Sequence, residues 1–128
     1  AGVGAFQTVE FINSLCISAP GKSFDLLVCC VHGNYSVRES LITHGFKLKD
    51  ERIIFENNRF YEGIYVSNIG HENITNTGTK MWDWSNLDHQ DYWQRIVGHY
   101  RQKAKKDPAH YQPIINDYET LLASISNV

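Results

Sequence analysis

"KLKDERIIFENNRFYEGIYVSN" (residues 47–68) decides the fold, because it consists of two extended segments joined by a tight turn. The turn falls at Asn57-Asn58, and asparagine tolerates the positive φ angles that a two-residue hairpin turn requires. The apolar positions of the two segments are Ile53, Phe55, Phe60, Tyr61, Ile64 and Val66. The stretch therefore predicts an antiparallel hairpin.

The residues before this hairpin predict a strand followed by a short helix. "FDLLVCCV" (residues 24–31) is a continuous apolar run, which is typical of a strand covered on both faces in a parallel sheet. The helix is expected to start with Ser36 as its cap and to end at Gly45 in the left-handed conformation. We therefore expect residues 24–31 to lie parallel to a strand near Ala1, with a parallel crossover leading into the hairpin.

Helical spacing dominates both ends of the chain. Apolar side chains predict a helix over Ala5–Ile17, and two longer helices form a hairpin near the C-terminus, where Asp107 acts as a cap before Pro108. Between the strands and these helices, residues 68–80 are predicted to be a surface loop, followed by the aromatic segment "MWDWS". The predicted organisation is an α/β unit (1–67), a loop with an aromatic segment (68–87) and a helical hairpin (88–128).

Composition excludes several classes of protein. The chain has 128 residues, 42% hydrophobic and 20% charged, with a net charge of −2. It contains no apolar run of the roughly 18 residues that span a bilayer, so neither a membrane protein nor a disordered tail is expected. Three cysteines, Cys16, Cys29 and Cys30, are an odd number, which argues against a disulfide framework and for a reducing, cytoplasmic compartment.

Two nucleotide-binding patterns are incomplete. "APGKS" (residues 19–23) ends like a phosphate-binding loop, but Cys16 replaces the first glycine and the motif precedes a strand. "GVGAFQ" (residues 2–7) lacks the third glycine of the dinucleotide fingerprint, since Gln7 stands there. The six histidines show no spacing typical of a closed zinc site, so no metal is predicted. The sequence assigns no catalytic residue.

One charge pattern stands out against the slightly acidic chain. Residues 95–106 contain five basic residues and no acidic one: Arg95, Arg101, Lys103, Lys105 and Lys106. With His99, Tyr100 and Tyr111 interleaved, the segment is suited to RNA, whose phosphates need cations and whose bases stack on rings. A solvated helix end, with cations complementing the helix dipole, fits the same residues equally well.

Several of these motifs, in this order, resemble the bacterial tRNA (adenine-N1)-methyltransferases, a class I family that uses S-adenosylmethionine. "AGVGAFQTVEFI" (residues 1–12) resembles the family's "AGMGG" turn and the helix after it. Residues 26–67 resemble its next strand, its "LR.WL..NGY.I.DE" segment and its "G..YEI" hairpin. The most specific part is "HGFKLKDERIIFENNRFYE" (residues 44–62), where glycine, aromatic, Asp-Glu and Tyr-Glu recur in register. Val3 and Ala5 depart from the family's turn, and His32-Gly33-Asn34 departs from its Gln-Pro-Asn-like turn.

The resemblance implies the second half of a class I (Rossmann-like) methyltransferase sheet, followed by the helical hairpin. It implies Gly2 and Gly4 as cofactor-binding residues, and His32 and Asn34 as substrate-binding residues at the carboxyl edge of the sheet. It also implies that the chain lacks the loop that binds most of the cofactor, so that residues 1–128 alone bind S-adenosylmethionine weakly and are inactive. The implied partner is tRNA.

Two further interpretations remain open. One is a non-catalytic α/β module that binds RNA or a protein partner through the helical hairpin. The other is a structural domain whose "MWDWS" segment packs in the interface of a homo-oligomer.

Overall fold

The computed structural model describes residues 5–18 and 21–126, with side chains for residues 7–16 and 21–126. The chain forms two compact units, Ala1–Met81 and Trp82–Val128. The elements are α1 (Ala5–Ser18), β1 (Asp25–Cys30), α2 (Asn34–Thr43), β2 (Lys47–Glu56), β3 (Arg59–Ser67), α3 (Leu87–Ala104) and α4 (Pro108–Ile125). No helix within these described ranges is long and apolar enough to cross a membrane.

The sheet of the first unit has the strand order β1-β3-β2. β3 is antiparallel to both neighbours, so β1 and β2 run in the same direction, and α2 connects them across β3. The predicted parallel crossover into an antiparallel hairpin is confirmed. Every hydrogen-bonded ladder between the described strands is antiparallel. The parallel partner expected for β1 lies near Ala1, outside the described residues.

The hairpin turn has the predicted position and conformation. Asn57 and Asn58 have φ angles of 53° and 60°. The flanking pairs Glu56↔Arg59 and Phe55↔Phe60 continue the ladder without a gap. Positive φ at both central residues is the geometry of a type I′ turn, whose twist matches that of the strands.

One end of α2 follows the prediction and the other does not. Gly45 (φ 80°) donates its N–H to the Ile42 carbonyl, and Phe46 donates to the Leu41 carbonyl, which together form a Schellman motif. The predicted cap at Ser36 is wrong. Gly33 is the N-cap, with φ 70° and no side-chain capping bond, because its left-handed conformation turns the chain directly from strand to helix.

α1 and α2 cover one face of the sheet. Ile12 of α1 and Val37 of α2 belong to the same buried cluster as the inward-facing strand residues Val28, Ile64 and Val66. The prediction that β1 is covered on both faces is not met by the described residues. Leu27 and its partner Tyr65 point to the opposite face and are 59% and 36% exposed, since successive strand residues alternate between faces.

Residues 68–80 form a loop, as predicted, but it does not lie wholly at the surface. Ile74 is buried in the core cluster, and Thr77 is only 5% exposed. The Glu72 carbonyl accepts a hydrogen bond from the N–H of Leu48 in β2. The polar composition of the loop concealed these contacts, because several of its polar groups bond to side chains of the unit, as Thr75, Asn76 and Lys80 do.

The second unit is the predicted helical hairpin. Asp107 caps α4 by accepting from the His110 N–H, with Pro108 at the first helical position. Asn86 caps α3 by accepting from the Asp88 N–H. Buried side chains from both helices face one another: Tyr92, Trp93, Val97, Ile114, Ile115, Tyr118 and Leu121.

The aromatic residues of "MWDWS" pack within the second unit. Trp82 stacks on Tyr92 with ring centroids 5.6 Å apart, and Trp84 meets Trp93 edge to face at 6.1 Å. The Trp93 indole N–H donates to the Tyr118 carbonyl at 3.0 Å. These rings contribute to the core of their own unit, and the predicted oligomer interface stays a prediction.

Candidate functional site

The carboxyl end of β1 is the edge at which the sequence places the substrate. β1 ends at Cys30, Gly33 reverses the chain, and α2 begins at Asn34. The Cys30 sulfur lies 3.5 Å from the hydroxyl of Thr8, which belongs to α1. Residues from α1, β1 and α2 therefore meet here.

Asn34 is held in one orientation at this edge. Its Nδ2 donates to the Cys30 carbonyl at 3.0 Å, which fixes the nitrogen toward the strand, since two oxygens would repel each other there. Its Oδ1 is buried and accepts no hydrogen bond from any described residue. An unsatisfied buried acceptor costs about 1–3 kcal/mol, so a donor that reached Oδ1 would bind favourably.

The other predicted edge residues differ from Asn34 in exposure. His32 is exposed, whereas Asn34 is 5% exposed. The structure thus brings His32 and Asn34 to the same turn, but only Asn34 is anchored. Gly2 and Gly4, the predicted cofactor-binding residues, lie outside the described residues.

Among the described residues of the first unit, Arg38 has the most buried charged side chain. It lies one helical turn after Asn34. Its side chain is 0% exposed. Nη1 lies 2.9 Å from Oε1 of Glu51 in β2, and Nε lies 3.0 Å from Oε1 of Glu62 in β3. We name Arg38, Glu51 and Glu62 the buried triad.

The buried triad also holds the loop after β3. Nη1 of Arg38 donates to the Thr75 carbonyl at 3.2 Å, and Nη2 lies 3.6 Å from the Met81 sulfur. The second oxygen of Glu51 accepts from the Lys80 N–H at 2.8 Å. Burial alone would lower the pKa of Arg38, but the charges of Glu62 and Glu51 outweigh burial and raise it above its ordinary value. Arg38 is therefore charged in the folded protein.

Gly78 makes room for this guanidinium. A Cβ at position 78 would lie 2.7 Å from Nη2 of Arg38 and 2.8 Å from Cε of Met81. Its φ of +78° is also one that side chains rarely adopt. The loop thus closes over Arg38 only because residue 78 has no side chain.

No role was predicted for the buried triad from the sequence. Glu51 and Glu62 are the acidic residues of the Asp-Glu and Tyr-Glu pairs quoted above. A buried arginine on a helix has no local signal, because its neighbours in space come from two distant strands. Two glutamates in apolar strand segments were the one available hint, since an unpaired buried carboxylate is costly.

The predicted RNA-binding residues all lie on exposed positions of α3 or of its connection to α4. They differ in what they contact. Arg95 forms a two-point ion pair with Asp91, at 3.0 and 3.2 Å, and Arg101 lies 3.4 Å from Glu119. Lys103 Nζ is 5.5 Å from the centre of the Tyr111 ring.

Tyrosines beside this basic segment are engaged with one another. The ring of Tyr100 stacks on Tyr111 at 6.0 Å and on Tyr118 at 6.3 Å. Tyr111 and Tyr118 are two turns apart on α4, about 10.5 Å along its axis, so Tyr100 lies between them. His110 contacts the Tyr111 ring edge-on at 4.6 Å.

No group of three histidine, cysteine or acidic side chains in the described ranges could hold a metal ion. The carboxylates of the buried triad are occupied by Arg38. The chemistry that the described edge offers is therefore hydrogen bonding and orientation by Asn34, with His32 exposed beside it.

Comparison with solved structures gives the fold a context. Similar folds occur in the Streptococcus pneumoniae protein Sp1610, solved in complex with S-adenosyl-L-methionine (TM-score 0.66, 16% identity), and in the B. subtilis m1A22 tRNA methyltransferase TrmK (TM-score 0.60, 15% identity). A Streptococcus agalactiae protein of the NADB-Rossmann superfamily is also similar (TM-score 0.60, 18% identity). The likeness covers 95% of this chain and 57% of Sp1610. The corresponding values are 97% and 60% for TrmK, and 98% and 56% for the Streptococcus agalactiae protein.

These likenesses confirm the predicted Rossmann-like methyltransferase fold. No curated protein sequence matches the chain. The family model described as "Methyltransferase domain" matches residues 1–64, which is half of the chain and ends within β3. The chain therefore belongs to the methyltransferase domain family.

Proposed function

We propose that the chain is part of an S-adenosylmethionine-dependent methyltransferase that modifies N1 of an adenine in tRNA. The observation that carries this proposal is the anchored Asn34 at the carboxyl end of β1, with its acceptor Oδ1 unsatisfied among the described residues. Ligands of open α/β sheets bind at this edge. The exocyclic amino group of adenine is a donor of the kind that Oδ1 lacks.

Alkylation at N1 requires orientation more than a strong base, because the N1 lone pair must point at the transferred methyl group. A hydrogen bond from the adenine amino group to Asn34 would fix the plane of the base. His32, exposed at the same turn, would border the base from the solvent side. Asn34 and His32 are thus proposed as substrate-binding residues, and no general base is required.

Neither buried acidic residue of the described chain is free to bind the cofactor. The resemblance assigns the methionyl and ribose contacts to an acidic, glycine-containing loop that precedes this chain. The buried acidic residues Glu51 and Glu62 are held by Arg38 at 2.9 and 3.0 Å, so they cannot serve as substitutes. Gly2 and Gly4 are proposed to contact the cofactor only in a complete enzyme that contains the missing loop.

The basic segment of α3 is proposed to contact the RNA. The exposed Lys105 and Lys106 support this proposal. They equally support the second candidate, a non-catalytic RNA-binding module, since neither lysine depends on a cofactor. Free Cys16, Cys29 and Cys30 support a reducing, cytoplasmic location.

The test is methyl transfer by the complete protein that contains this chain. tRNA is incubated with S-adenosylmethionine, and primer extension locates the product, because a methyl group at N1 blocks base pairing and stops the polymerase. We expect one stop at an adenine, and calorimetry should show little cofactor binding by residues 1–128 alone.

Asn34→Ala should lower turnover about 10- to 100-fold, since a misplaced base loses orientation, while cofactor affinity stays the same. Asn73→Ala is the matched control, because Asn73 is an exposed asparagine bonded to Lys47. No stop under any condition would favour the non-catalytic module. Equal turnover in the two variants would remove Asn34 from the substrate site.

A further inference from the structure

The five cations of the basic segment are not equally free to bind a new partner. One edge of the Arg95 guanidinium faces Asp91 in a two-point ion pair, through Nε at 3.2 Å and Nη2 at 3.0 Å. Lys105 and Lys106 have no side-chain partner in the part of the chain that the structure describes. A phosphate that bound Arg95 would meet a cation whose charge Asp91 already partly neutralises, whereas Lys106 has no side-chain ion pair among the described residues.

The cations with the fewest competing contacts lie together at the end of the hairpin. The backbone N–H of Lys105 donates to the Gln102 carbonyl at 3.3 Å, and that of Lys106 to the Lys103 carbonyl at 3.2 Å. These bonds keep the last turn of α3 and its connection tightly wound. Two carboxylates lie near, Asp107 next in sequence and Glu119 beside Arg101 at 3.4 Å. We name Arg101, Lys103, Lys105 and Lys106 the cationic tip.

The tyrosines of the hairpin do not present free stacking platforms. Tyr100 lies between Tyr111 and Tyr118, and Tyr111 is contacted by His110 edge-on and by Lys103 at 5.5 Å. A base that stacked on Tyr100 would have to open the hairpin. Proteins that prefer single-stranded RNA draw about 1–3 kcal/mol per base from such stacking, and these tyrosines cannot supply it.

We propose that the cationic tip binds the phosphate backbone of helical RNA, and that Arg95 and the tyrosines take no part. The inference rests on the proposed function only in taking RNA as the partner. Recognition is by charge and position, without reading of bases, so the tip orients a helical part of the RNA and leaves selection of the nucleotide to other residues.

The proposal predicts how the affinity for RNA depends on salt concentration. Four phosphate contacts give a slope of log K against log salt of about −3.6, which lowers the affinity about 150-fold between 50 and 200 mM salt. Removing two lysines should reduce the slope to about −1.8, so that affinity falls only about 12-fold over the same range. At 50 mM salt the variant should already bind more weakly than the unaltered chain.

The experiment measures fluorescence anisotropy of a labelled 16-base-pair RNA and of one of its strands unpaired, with the full 128-residue chain. Lys105→Ala/Lys106→Ala tests the tip. Lys106→Ala and Arg95→Ala form a matched pair, since each removes one exposed positive charge from the same basic segment. Circular dichroism checks that every variant keeps its helix content, which is expected for exposed positions.

We expect tighter binding to the duplex, a slope reduced by about one for Lys106→Ala and an unchanged slope for Arg95→Ala. Tighter binding to the unpaired strand, or equal effects of Arg95→Ala and Lys106→Ala, would overturn the inference. Unaltered binding by the double variant would also overturn it and leave the basic segment as a solvated helix end. Methyl transfer is measured independently by primer extension. If the protein binds duplex RNA through the cationic tip but methylates nothing, only the proposed function is refuted.

Discussion

Replacing Arg38 by methionine should destabilise the first unit by about 3–5 kcal/mol, the cost of breaking a buried ion pair from one side. The cause is visible in the buried triad. Arg38 contacts Glu51 at 2.9 Å and Glu62 at 3.0 Å, and all three side chains are at most 2% exposed. Methionine has a similar volume but leaves two carboxylates in the interior without a cation.

An exposed arginine in the same unit provides the control. Arg52 of β2 pairs with Asp50 at 3.1 Å, but the two side chains are 77% and 56% exposed. Solvent screens this pair, so Arg52→Met should cost less than about 1 kcal/mol. The two variants make the same chemical change in the same unit and differ in burial.

Urea unfolding, monitored by circular dichroism, measures the difference in unfolding free energy between the two variants. With a slope of about 1–3 kcal/mol per molar urea for a small unit, the Arg38 variant should lose more than one molar in its midpoint or be unfolded in water. Hydrogen exchange of the β2 and β3 amides then shows whether the loss lies in the first unit.

A third variant keeps the reasoning testable if Arg38→Met does not fold. This triple variant adds Glu51→Gln and Glu62→Gln to Arg38→Met, which removes the two uncompensated charges. It should restore a large part of the lost stability, because a neutral core can replace a buried ion pair. If Arg38→Met costs no more than Arg52→Met, or if the triple variant is less stable than the single one, burial of charge is not what makes this site sensitive.

Three smaller predictions follow from single contacts. Gly78→Ala should cost about 1–3 kcal/mol from crowding and strain, more than Gly45→Ala, which has a similar φ but nothing within 4 Å; urea midpoints compare them. The Tyr65 hydroxyl, 2.7 Å from Asp25, is the largest cause of the lowered pKa of Asp25, so Tyr65→Phe should raise that pKa in an NMR titration. Because folding lowers the pKa of Asp25, the ionised carboxylate stabilises the folded state above the pKa that Asp25 has in the unfolded chain. This stabilisation is lost as the pH falls through the pKa of the folded state. Asp107→Ala removes the α4 cap and should cost about 1 kcal/mol, measured by thermal unfolding.

Features set by local conformation could be predicted from the sequence. The turn at Asn57-Asn58, the end of α2 at Gly45 and the start of α4 at Pro108 each depend on φ preferences of one or two residues. Ser36 shows the limit of such reasoning. Serine is a good cap, but Gly33, three residues earlier, is already the N-cap of the helix.

Features that depend on contacts between distant segments could not be predicted. The sequence placed Asn34 at the sheet edge through its position after β1, but its bond to the Cys30 carbonyl and its buried Oδ1 required coordinates. Tyr100 and Tyr111 suggested stacking on bases, because aromatic rings beside basic residues are suited to binding RNA. Their helical spacing equally suits packing against the facing helix, and in the structure packing occupies the rings.

The positions of Arg38 and Asn34 bear on how any loss of activity should be interpreted. They lie one turn apart on α2, and Arg38 fixes that helix to β2, β3 and the loop that ends at Met81. A substitution at Arg38 would move or loosen Asn34 without touching a substrate, and its effect on turnover would resemble that of a substrate-binding residue. The two roles separate by stability, because loss of Asn34 removes only one hydrogen bond donated to the Cys30 carbonyl, whereas loss of Arg38 uncovers two buried charges. Glu51 and Glu62 belong to residues 44–62, the most specific part of the resemblance, and both lie within the buried triad. The segment that best identifies the family in this chain therefore also holds α2 in place.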